Sequence, residues 1–378
     1  MEFKEYRLGD IIKEIIDYRG KTPKKLGGNW AKSGIKAISA KNIKTGKIVQ
    51  PETIRFVDEK LYKKWMKQEV EKGTVLITSE APFGETFYWD TEEKIVLSQR
   101  IFGLKIKQEY NSKFIYYYMS TKKFQDELRA RATGSTVIGL RQPELLKCKI
   151  IIPDREVQDK MVEILNTLDK KIELNNQIED NLYEEGNELL KNDFILENKK
   201  ENLSQIIKFV KGKKPNYIST NKQAGYEKYL TIACLKGQEL KYADKNNMVM
   251  SNNDLLMVMD GASSGEVYYG GQGIVGSTLS RIDCIDNNYI SEFIFFSLKY
   301  YKDLIQSKNT GSAIPHADKV FIGSLEIPRL DIEKQEKYKV LLSKIQHNQN
   351  ENKILENLRD TLLPKLINGK IDLDKIKI

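Results

Sequence analysis

The amino-acid sequence predicts an α+β protein with an internal repeat, in which two globular α/β domains are separated by a pair of long, coiled-coil-like helices. If these helices are antiparallel, the two halves are related by a pseudo-two-fold axis. Three observations predict this fold. One succession of short motifs occurs twice, apolar runs of strand length fill the first part of each copy, and a long polar segment with helical apolar spacing closes each copy. We place the globular domains at residues 1–153 and 197–328, the first long helix at 154–196, and the second long helix with a C-terminal segment at 329–378.

The repeated motifs keep the same order in both halves. They are Leu-Gly-Asp-Ile-Ile (8–12) and Leu-Ser-Gln-Ile-Ile (203–207), Gly-Lys-Thr-Pro (20–23) and Gly-Lys-Lys-Pro (212–215), Thr-Gly-Ser (133–135 and 310–312), and Ile-Pro (152–153 and 327–328) before a helix carrying Gln158 or Gln335. The period is far longer than the roughly 20–50 residues of solenoid repeats, so a whole domain is duplicated. A duplicated domain favours a target with two similar halves, and pseudo-symmetric DNA is a common target of that kind.

Composition and charge narrow the class of protein. The net charge of +9 favours a polyanionic partner, although a lysine-rich proteome would give the same balance. The three cysteines, Cys148, Cys234 and Cys284, are scattered and indicate neither a disulfide framework nor a zinc site. The charged N-terminus and the lack of an apolar run of ~18 residues predict a cytoplasmic protein without a membrane span.

Local patterns predict the individual elements. Residues 75–77 and 95–97 are apolar runs of strand length, and the β-branched run at 147–152 ends at Pro153. Residues 111–131 carry an apolar stripe and predict one helix.

The two long segments predict helices that pack against each other. A solitary helix of this polarity would have no core, so each narrow apolar seam needs a partner. Two independent helical linkers are the alternative. Asn175 and Asn176 interrupt the first seam. The seam residues are Met161, Leu165, Leu168, Ile172, Leu182, Tyr338, Leu342, Ile345, Leu355, Leu358 and Leu362.

Formal matches to catalytic motifs are weak. Gly-Ala-Ser-Ser-Gly at 261–265 fits a nucleophile elbow, but the first copy (79–84) has no serine at that position, and a turn explains both. Asp154, Asp169 and Lys171 loosely match a metal-dependent nuclease, yet two of them lie in a predicted helix. A phosphate-binding loop is missing, as is the loop that amino-methyltransferases use. We therefore expect no catalytic residues and no metal ligands.

Two loops in each half suit contacts with nucleic acid, because glycine lets the backbone approach, lysine neutralises phosphate and arginine can bind guanine with two hydrogen bonds. An ordinary solvated turn and a helix cap are the alternatives for these loops. Ser39, Lys41, Asn42 and Arg100 follow predicted strands and are further candidates. The loop candidates are Arg19, Lys21, Thr22, Lys24, Lys25, Arg129, Arg131, Thr133 and Ser135 in the first half, and Lys211, Lys213, Lys214, Lys308, Thr310 and Ser312 in the second.

Taken in order and twice over, these motifs resemble the specificity (S) subunit of Type I restriction-modification enzymes. The most specific mark is the C-terminal run Arg-Asp-Thr-Leu-Leu-Pro-Lys-Leu-Ile-Asn-Gly-Lys-Ile at 359–371. One departure is Gly-Lys-Lys-Pro in the second half, and another is the stretch that ends at His316, which is two residues shorter than its counterpart. Both departures imply that the second domain binds its half-site through different contacts.

The resemblance implies a non-catalytic DNA-specificity subunit. Two target-recognition domains would bind a split double-stranded DNA site, and the seamed helices would dock two methyltransferase subunits. Restriction subunits with translocase activity would join them, and S-adenosylmethionine, ATP and magnesium would be carried by these partners rather than by this chain. Two alternatives stay open: a structural scaffold that bridges protein subunits, and a stand-alone DNA-processing enzyme.

Overall fold

The computed structural model describes residues 2–134, 137–311, 314–371 and 373, in which strands and helices are interspersed throughout. By its internal contacts the chain divides into two units. Unit 1 combines the residues up to Ile172 with those from Lys353 onward, and unit 2 comprises Glu173–Asn352. The α+β class and the repeat are confirmed, but the division falls inside both long helices rather than at their ends.

Unit 1 contains a four-stranded antiparallel sheet in the order Ile12–Asp17, Ile101–Ile106, Thr74–Thr78, Thr86–Trp89. A second sheet has the order Arg55–Val57, Ile35–Ile38, Ile95–Leu97, and its last two strands are parallel. The predicted strands at 75–77 and 95–97 are therefore confirmed. The other elements are strands Phe3–Arg7, Ile43–Lys44, Lys47–Ile48 and Lys149–Pro153, α-helices Leu8–Ile11, Glu59–Trp65, Ser112–Ser120, Lys122–Ala130 and Gln142–Leu146, and 3-10 helices Lys24–Leu26, Ala40–Asn42 and Pro51–Thr53.

The helix predicted at 111–131 is two helices, so that prediction was wrong in its continuity. Ser112–Ser120 and Lys122–Ala130 are separated by Thr121, whose backbone is extended. The Thr121 hydroxyl accepts a hydrogen bond from the Phe124 N–H and caps the second helix. The apolar stripe continues across the break because both helices bury it in the same core.

Unit 2 repeats the four-stranded sheet of unit 1, whereas its second sheet has five strands rather than three. Its antiparallel sheet has the order Ile207–Lys211, Leu279–Cys284, Leu255–Val258, Val267–Tyr269, and in its second sheet Tyr226–Leu230 is parallel to Gln272–Val275. The other elements are strands Lys200–Asn202, Ile218–Ser219, Tyr242–Asp244, Met250–Asn252 and Glu326–Pro328, and helices Leu203–Ile206, Ile232–Leu235, Ser291–Tyr300, Lys302–Ser307 and Lys319–Ser324.

A buried glutamine explains the repeated Ile-Pro…Gln motif. Gln158 Nε2 donates to the Pro153 carbonyl at 2.8 Å, and its Oε1 accepts from the Asn111 N–H at 2.8 Å. Gln335 makes the equivalent bonds in unit 2, donating to the Leu330 carbonyl and accepting from the Ile290 N–H. Each glutamine is almost fully buried, so the motif fixes the start of a long helix to the loop before a core helix.

The two long helices are the central helix, Arg155–Leu196, and the distal helix, Ile332–Ile367. Within unit 2, Gln349 bonds Glu179 and Tyr338 bonds Asp193, so the partner number falls as the residue number rises and the helices are antiparallel. Within unit 1, Arg359 Nη1 donates to Asp169 Oδ1 at 2.9 Å. The predicted pairing is therefore confirmed in each unit. None of the helices formed by the described residues is long and apolar enough to cross a lipid bilayer.

Burial corrects the role predicted for much of the helix seam. Seven of the predicted docking residues are buried inside their own units and present almost no surface to a partner. Leu168, Leu355 and Leu362 are half-buried, and Leu358 is 43% exposed. The buried seven are Met161, Leu165, Ile172, Leu182, Tyr338, Leu342 and Ile345.

A polar layer interrupts the apolar seam in unit 2. The Asn175 side-chain amide donates to Asn352 Oδ1 at 3.0 Å and to Glu351 Oε2 at 2.7 Å. The Asn352 amide donates in turn to Asn176 Oδ1 at 2.9 Å. Asn175 is 1% exposed, so the interruption seen in the sequence is an internal hydrogen-bonded contact between the helices.

Candidate nucleic-acid interface

The carboxyl ends of two parallel strands place the candidate residues of unit 1 side by side. Ile38 is opposite Leu97, so the segments that follow the two strands leave the sheet at one edge. The Ser98 N–H donates to the Ile38 carbonyl at 2.8 Å, and the Ala40 N–H donates to the Gln99 carbonyl at 3.1 Å. This edge is the usual ligand-binding position of parallel strands.

A cleft of about 330 Å³ lies at this edge. It gathers five residues predicted from sequence, Lys21, Thr22, Ser39, Lys41 and Arg100, from three separate stretches of the chain. Four cationic side chains line it, since Arg55 joins Lys21, Lys41 and Arg100. A cluster of this charge suits a polyanion.

The cleft residues are held in different ways. Arg100 has a left-handed backbone (φ 65°), and its Nε lies 2.9 Å from Glu80 Oε1. Lys21 Nζ donates to the Trp65 carbonyl at 3.2 Å and lies 4.2 Å from the centre of the Tyr18 ring. Lys41 is exposed. The arginine is thus oriented, whereas the lysines supply positive charge.

Sequence reasoning missed Trp30 and Arg55. Trp30 is 38% exposed, and the Arg55 guanidinium carbon lies 5.2 Å from the centre of its ring. An exposed indole beside a guanidinium can stack on a base and neutralise a phosphate. The bridge between Ala31 and Phe56 brings the two residues together, and no local pattern predicts that bridge.

Three predicted DNA contacts serve the fold instead. Arg19 Nε and Nη2 each donate to Asp17 at 2.9 Å, and its guanidinium lies 3.9 Å from the centre of the Phe102 ring. Asn42 is fully buried and donates to Thr53 Oγ1 at 2.9 Å. Arg131 pairs with Glu127 at 2.8 Å, and the pair depresses the carboxyl pKa below its ordinary value. These side chains have their polar groups engaged within unit 1.

The remaining loop candidates differ in whether their side chains form hydrogen bonds and in how exposed they are. Lys25 Nζ donates to the Gly20 carbonyl at 2.7 Å and closes its own loop. Lys213 Nζ donates to the Asn247 carbonyl at 3.2 Å. Ser135 and Ser312 lie outside the described residues. The exposed candidates are Lys24, Arg129, Thr133, Lys211, Lys214, Lys308 and Thr310.

The Thr-Gly-Ser loops are closed by backbone bonds in the same way in both units. Thr133 and Gly139 exchange two backbone hydrogen bonds of 2.9 Å, and Thr310 and His316 exchange bonds of 2.9 and 2.8 Å. The next residue then donates to the turn after a core strand, Leu140 to the Ser79 carbonyl and Ala317 to the Met259 carbonyl. The described ends of each loop are therefore fixed beside that turn. Thr133 is as far from Gly139 in sequence as Thr310 is from His316, so the prediction that the second stretch is two residues shorter was wrong.

The edge described in unit 1 recurs in unit 2. The Gly276 N–H donates to the Leu230 carbonyl at 3.0 Å, as Ser98 does to Ile38. The Met259 N–H donates to the Thr278 carbonyl at 2.8 Å, as Ser79 does to Arg100. Thr278 thus occupies the backbone position that Arg100 has in unit 1.

The formal nucleophile elbow is a turn. The Ser264 hydroxyl donates to the carbonyls of Gly261 and Pro315. His316 Nδ1 lies 2.8 Å from Asp260 Oδ1, but the described part of the chain has no hydrogen bond between His316 and Ser263, the formal nucleophile. The nuclease match is also explained structurally, because Asp169 accepts from Tyr117 Oη at 2.6 Å as well as from Arg359.

Comparisons with known proteins identify the family. The model of the Type I restriction modification DNA specificity domain matches residues 1–184 and 196–360. The chain is 31% identical over 144 residues to the MjaVIII specificity subunit of a Type I restriction enzyme from Methanocaldococcus jannaschii, covering 37% of this chain and 34% of that protein. It is 24% identical to the MjaIX specificity subunit from the same organism over 99% of this chain and 98% of that protein.

The fold is also similar to that of the Type I restriction-modification S subunit from M. genitalium, with a TM-score of 0.58 and 17% identity over 97% of this chain and 96% of that one. Specificity subunits recognise DNA in these systems, and catalysis resides on other subunits. The two domain matches together cover most of the sequence and follow its internal repeat. The chain therefore belongs to the family of Type I restriction-modification DNA specificity subunits.

Proposed function

We propose that unit 1 and unit 2 each bind one part of a split double-stranded DNA site, with an unread spacer between the parts. The observation that carries this proposal is the edge built twice from parallel strands, with a Thr-Gly-Ser loop fixed beside the neighbouring turn each time. The two edges present different side chains, Arg100 in one and Thr278 in the other. Two similar frames with different side chains suit two half-sites of different sequence.

The contacts divide by chemistry. Exposed lysines such as Lys24, Lys41 and Lys211 would neutralise phosphates and contribute affinity without sequence preference. Arg100, oriented by Glu80, would donate to the edge of a guanine in the major groove. Trp30 and Arg55 would contact the backbone or an adjacent base.

Exposed apolar residues on the long helices supply surfaces for protein partners. Ile354 and Leu358 are exposed in unit 1, and Leu174, Ile178 and Val340 are exposed in unit 2. We assign the docking of protein partners to these side chains because they are apolar and exposed on otherwise polar helices. Two methyltransferase subunits would dock there and restriction subunits would join them in the cytoplasm, with S-adenosylmethionine, ATP and magnesium carried by those partners.

Reconstitution with the cognate methyltransferase subunit tests the proposal. Methylation at a defined split site should require both proteins, and Arg100→Ala should relax one base position of one half-site by a factor of about ten or more. Arg155→Ala is the matched control, because Arg155 and Arg100 are equally exposed (46%) and each forms a 2.9 Å ion pair. That control should keep the recognised sequence.

Three results would contradict the proposal. Methylation or cleavage by the purified chain alone would make it an enzyme. Failure of the complex to bind any DNA would leave the scaffold alternative. Equal effects of Arg100→Ala and Arg155→Ala on base preference would show that the cleft does not contact DNA bases.

A further inference from the structure

In each unit an acidic side chain in the turn after a core strand pairs with a basic side chain, but the basic residue comes from a different loop. Glu80 follows Ser79, whose N–H donates to the Arg100 carbonyl, and Asp260 follows Met259, whose N–H donates to the Thr278 carbonyl. The two turns are therefore equivalent. Glu80 binds Arg100 in unit 1, and Asp260 binds His316 in unit 2.

A side chain at position 139 would crowd the carboxylate that binds Arg100. Gly139 is the unit 1 counterpart of His316, and a Cβ built on it would lie 3.3 Å from Glu80 Oε2. In unit 2, Thr278 occupies the position of Arg100, and Asp260 pairs with His316 instead. The side chains of Arg100 and His316 are similarly exposed, at 46% and 49%. Each unit therefore presents one oriented basic side chain beside its Thr-Gly-Ser loop.

We propose that His316 is the specificity-determining residue of unit 2, in the role that Arg100 has in unit 1. The inference rests on the proposed function, which supplies the DNA. The sequence marked the stretch that ends at His316 as a departure between the two copies, but it assigned no DNA contact to His316 itself.

The hydrogen bond with Asp260 fixes what His316 offers to a base. A carboxylate only accepts hydrogen bonds, so Nδ1 carries the proton and donates to Asp260. Nε2 is left to face a base, since the described residues place no other hydrogen bond on it. Nε2 can make one hydrogen bond to a base edge in the major groove, whereas the guanidinium of Arg100 can make two to guanine.

Methylation mapping in a host without other adenine methylation tests the inference, using the chain together with its methyltransferase subunit. His316→Ala should lower the base preference at one position of one half-site by about tenfold. His316→Arg should change that preference to guanine. Asp260→Ala should weaken the same position, because the imidazole loses its fixed orientation and tautomer. His347→Ala, which alters the chain's other histidine on the distal helix, is the control and should keep the recognised sequence.

The outcomes distinguish failure of the His316 assignment from failure of the proposed function. If wild type methylates a split site and both His316 variants keep every base preference, His316 does not contact a base and the inference fails while the proposed function stands. The same holds if the altered position lies in the half-site that Arg100→Ala affects. If wild type methylates no split site, the proposed function fails, and the inference fails with it.

Discussion

Leu366 lies near the end of the chain, yet its side chain is fully buried in the core of unit 1. Leu366→Ala should therefore destabilise unit 1, which contains the N-terminal half. Removing a fully buried leucine side chain costs about 2–5 kcal/mol, because transfer energy is lost and a cavity remains. The cost falls on the free energy of unfolding of unit 1 alone.

Tryptophan fluorescence reports on unit 1 selectively, because all three tryptophans, Trp30, Trp65 and Trp89, belong to it. In urea, the free energy of unfolding falls by about 2 kcal/mol per molar, so the expected loss lowers the unfolding midpoint by about 1–2.5 M. The measurement is an equilibrium urea titration of the full chain followed by tryptophan emission.

Leu342→Ala is the matched control, since Leu342 lies on the same distal helix and is 2% exposed, but belongs to the core of unit 2. It should leave the tryptophan transition within about 0.2 M of wild type. An unchanged midpoint in Leu366→Ala would refute the placement of the C-terminal segment in unit 1. Equal shifts in both variants would refute the division into two units.

Three further predictions concern half-buried or buried polar groups. Arg359→Ala should lower the same fluorescence midpoint by the equivalent of about 1–3 kcal/mol, since the half-buried Asp169 loses its charged partner, and Arg359→Lys should restore part of it. Burial raises the pKa of the Cys148 thiol to about 12, so the unfolded chain ionises first; stability of unit 1 should fall as pH rises above about 9, and less so in Cys148→Ala urea titrations. Asn175→Ala should speed amide hydrogen exchange in the unit 2 part of the central helix by an amount equivalent to about 1–3 kcal/mol, because Asn352 loses a buried bond.

Local periodicity predicted the long helices and the core strands because their signals lie within a few residues of one another. Met161, Leu165 and Ile172 follow a helical step in the sequence, and all three are buried. The same pattern does not say which globular core a seam residue joins. The position of Leu366 in unit 1 therefore emerged only from its contacts.

The candidate interface was predictable where it follows strands and unpredictable where it depends on pairing. Lys41 and Arg100 were found because they follow strands whose ends lie together. Arg19 looked like a DNA contact by residue type, but Asp17, two residues away, takes up its donors. His316 was missed because its role depends on Asp260, 56 residues earlier in the chain.

The discontinuous make-up of unit 1 has a consequence for biosynthesis. Unit 2 is a continuous stretch, Glu173–Asn352, whereas unit 1 needs both ends of the chain. At roughly 5–20 residues per second, a ribosome takes about 10–40 s to make the intervening stretch. The half that is translated first is thus completed last, and its nascent apolar surface waits for the C-terminal segment. We expect chaperones to bind nascent chains stalled between Ile172 and Lys353 more than released full-length protein.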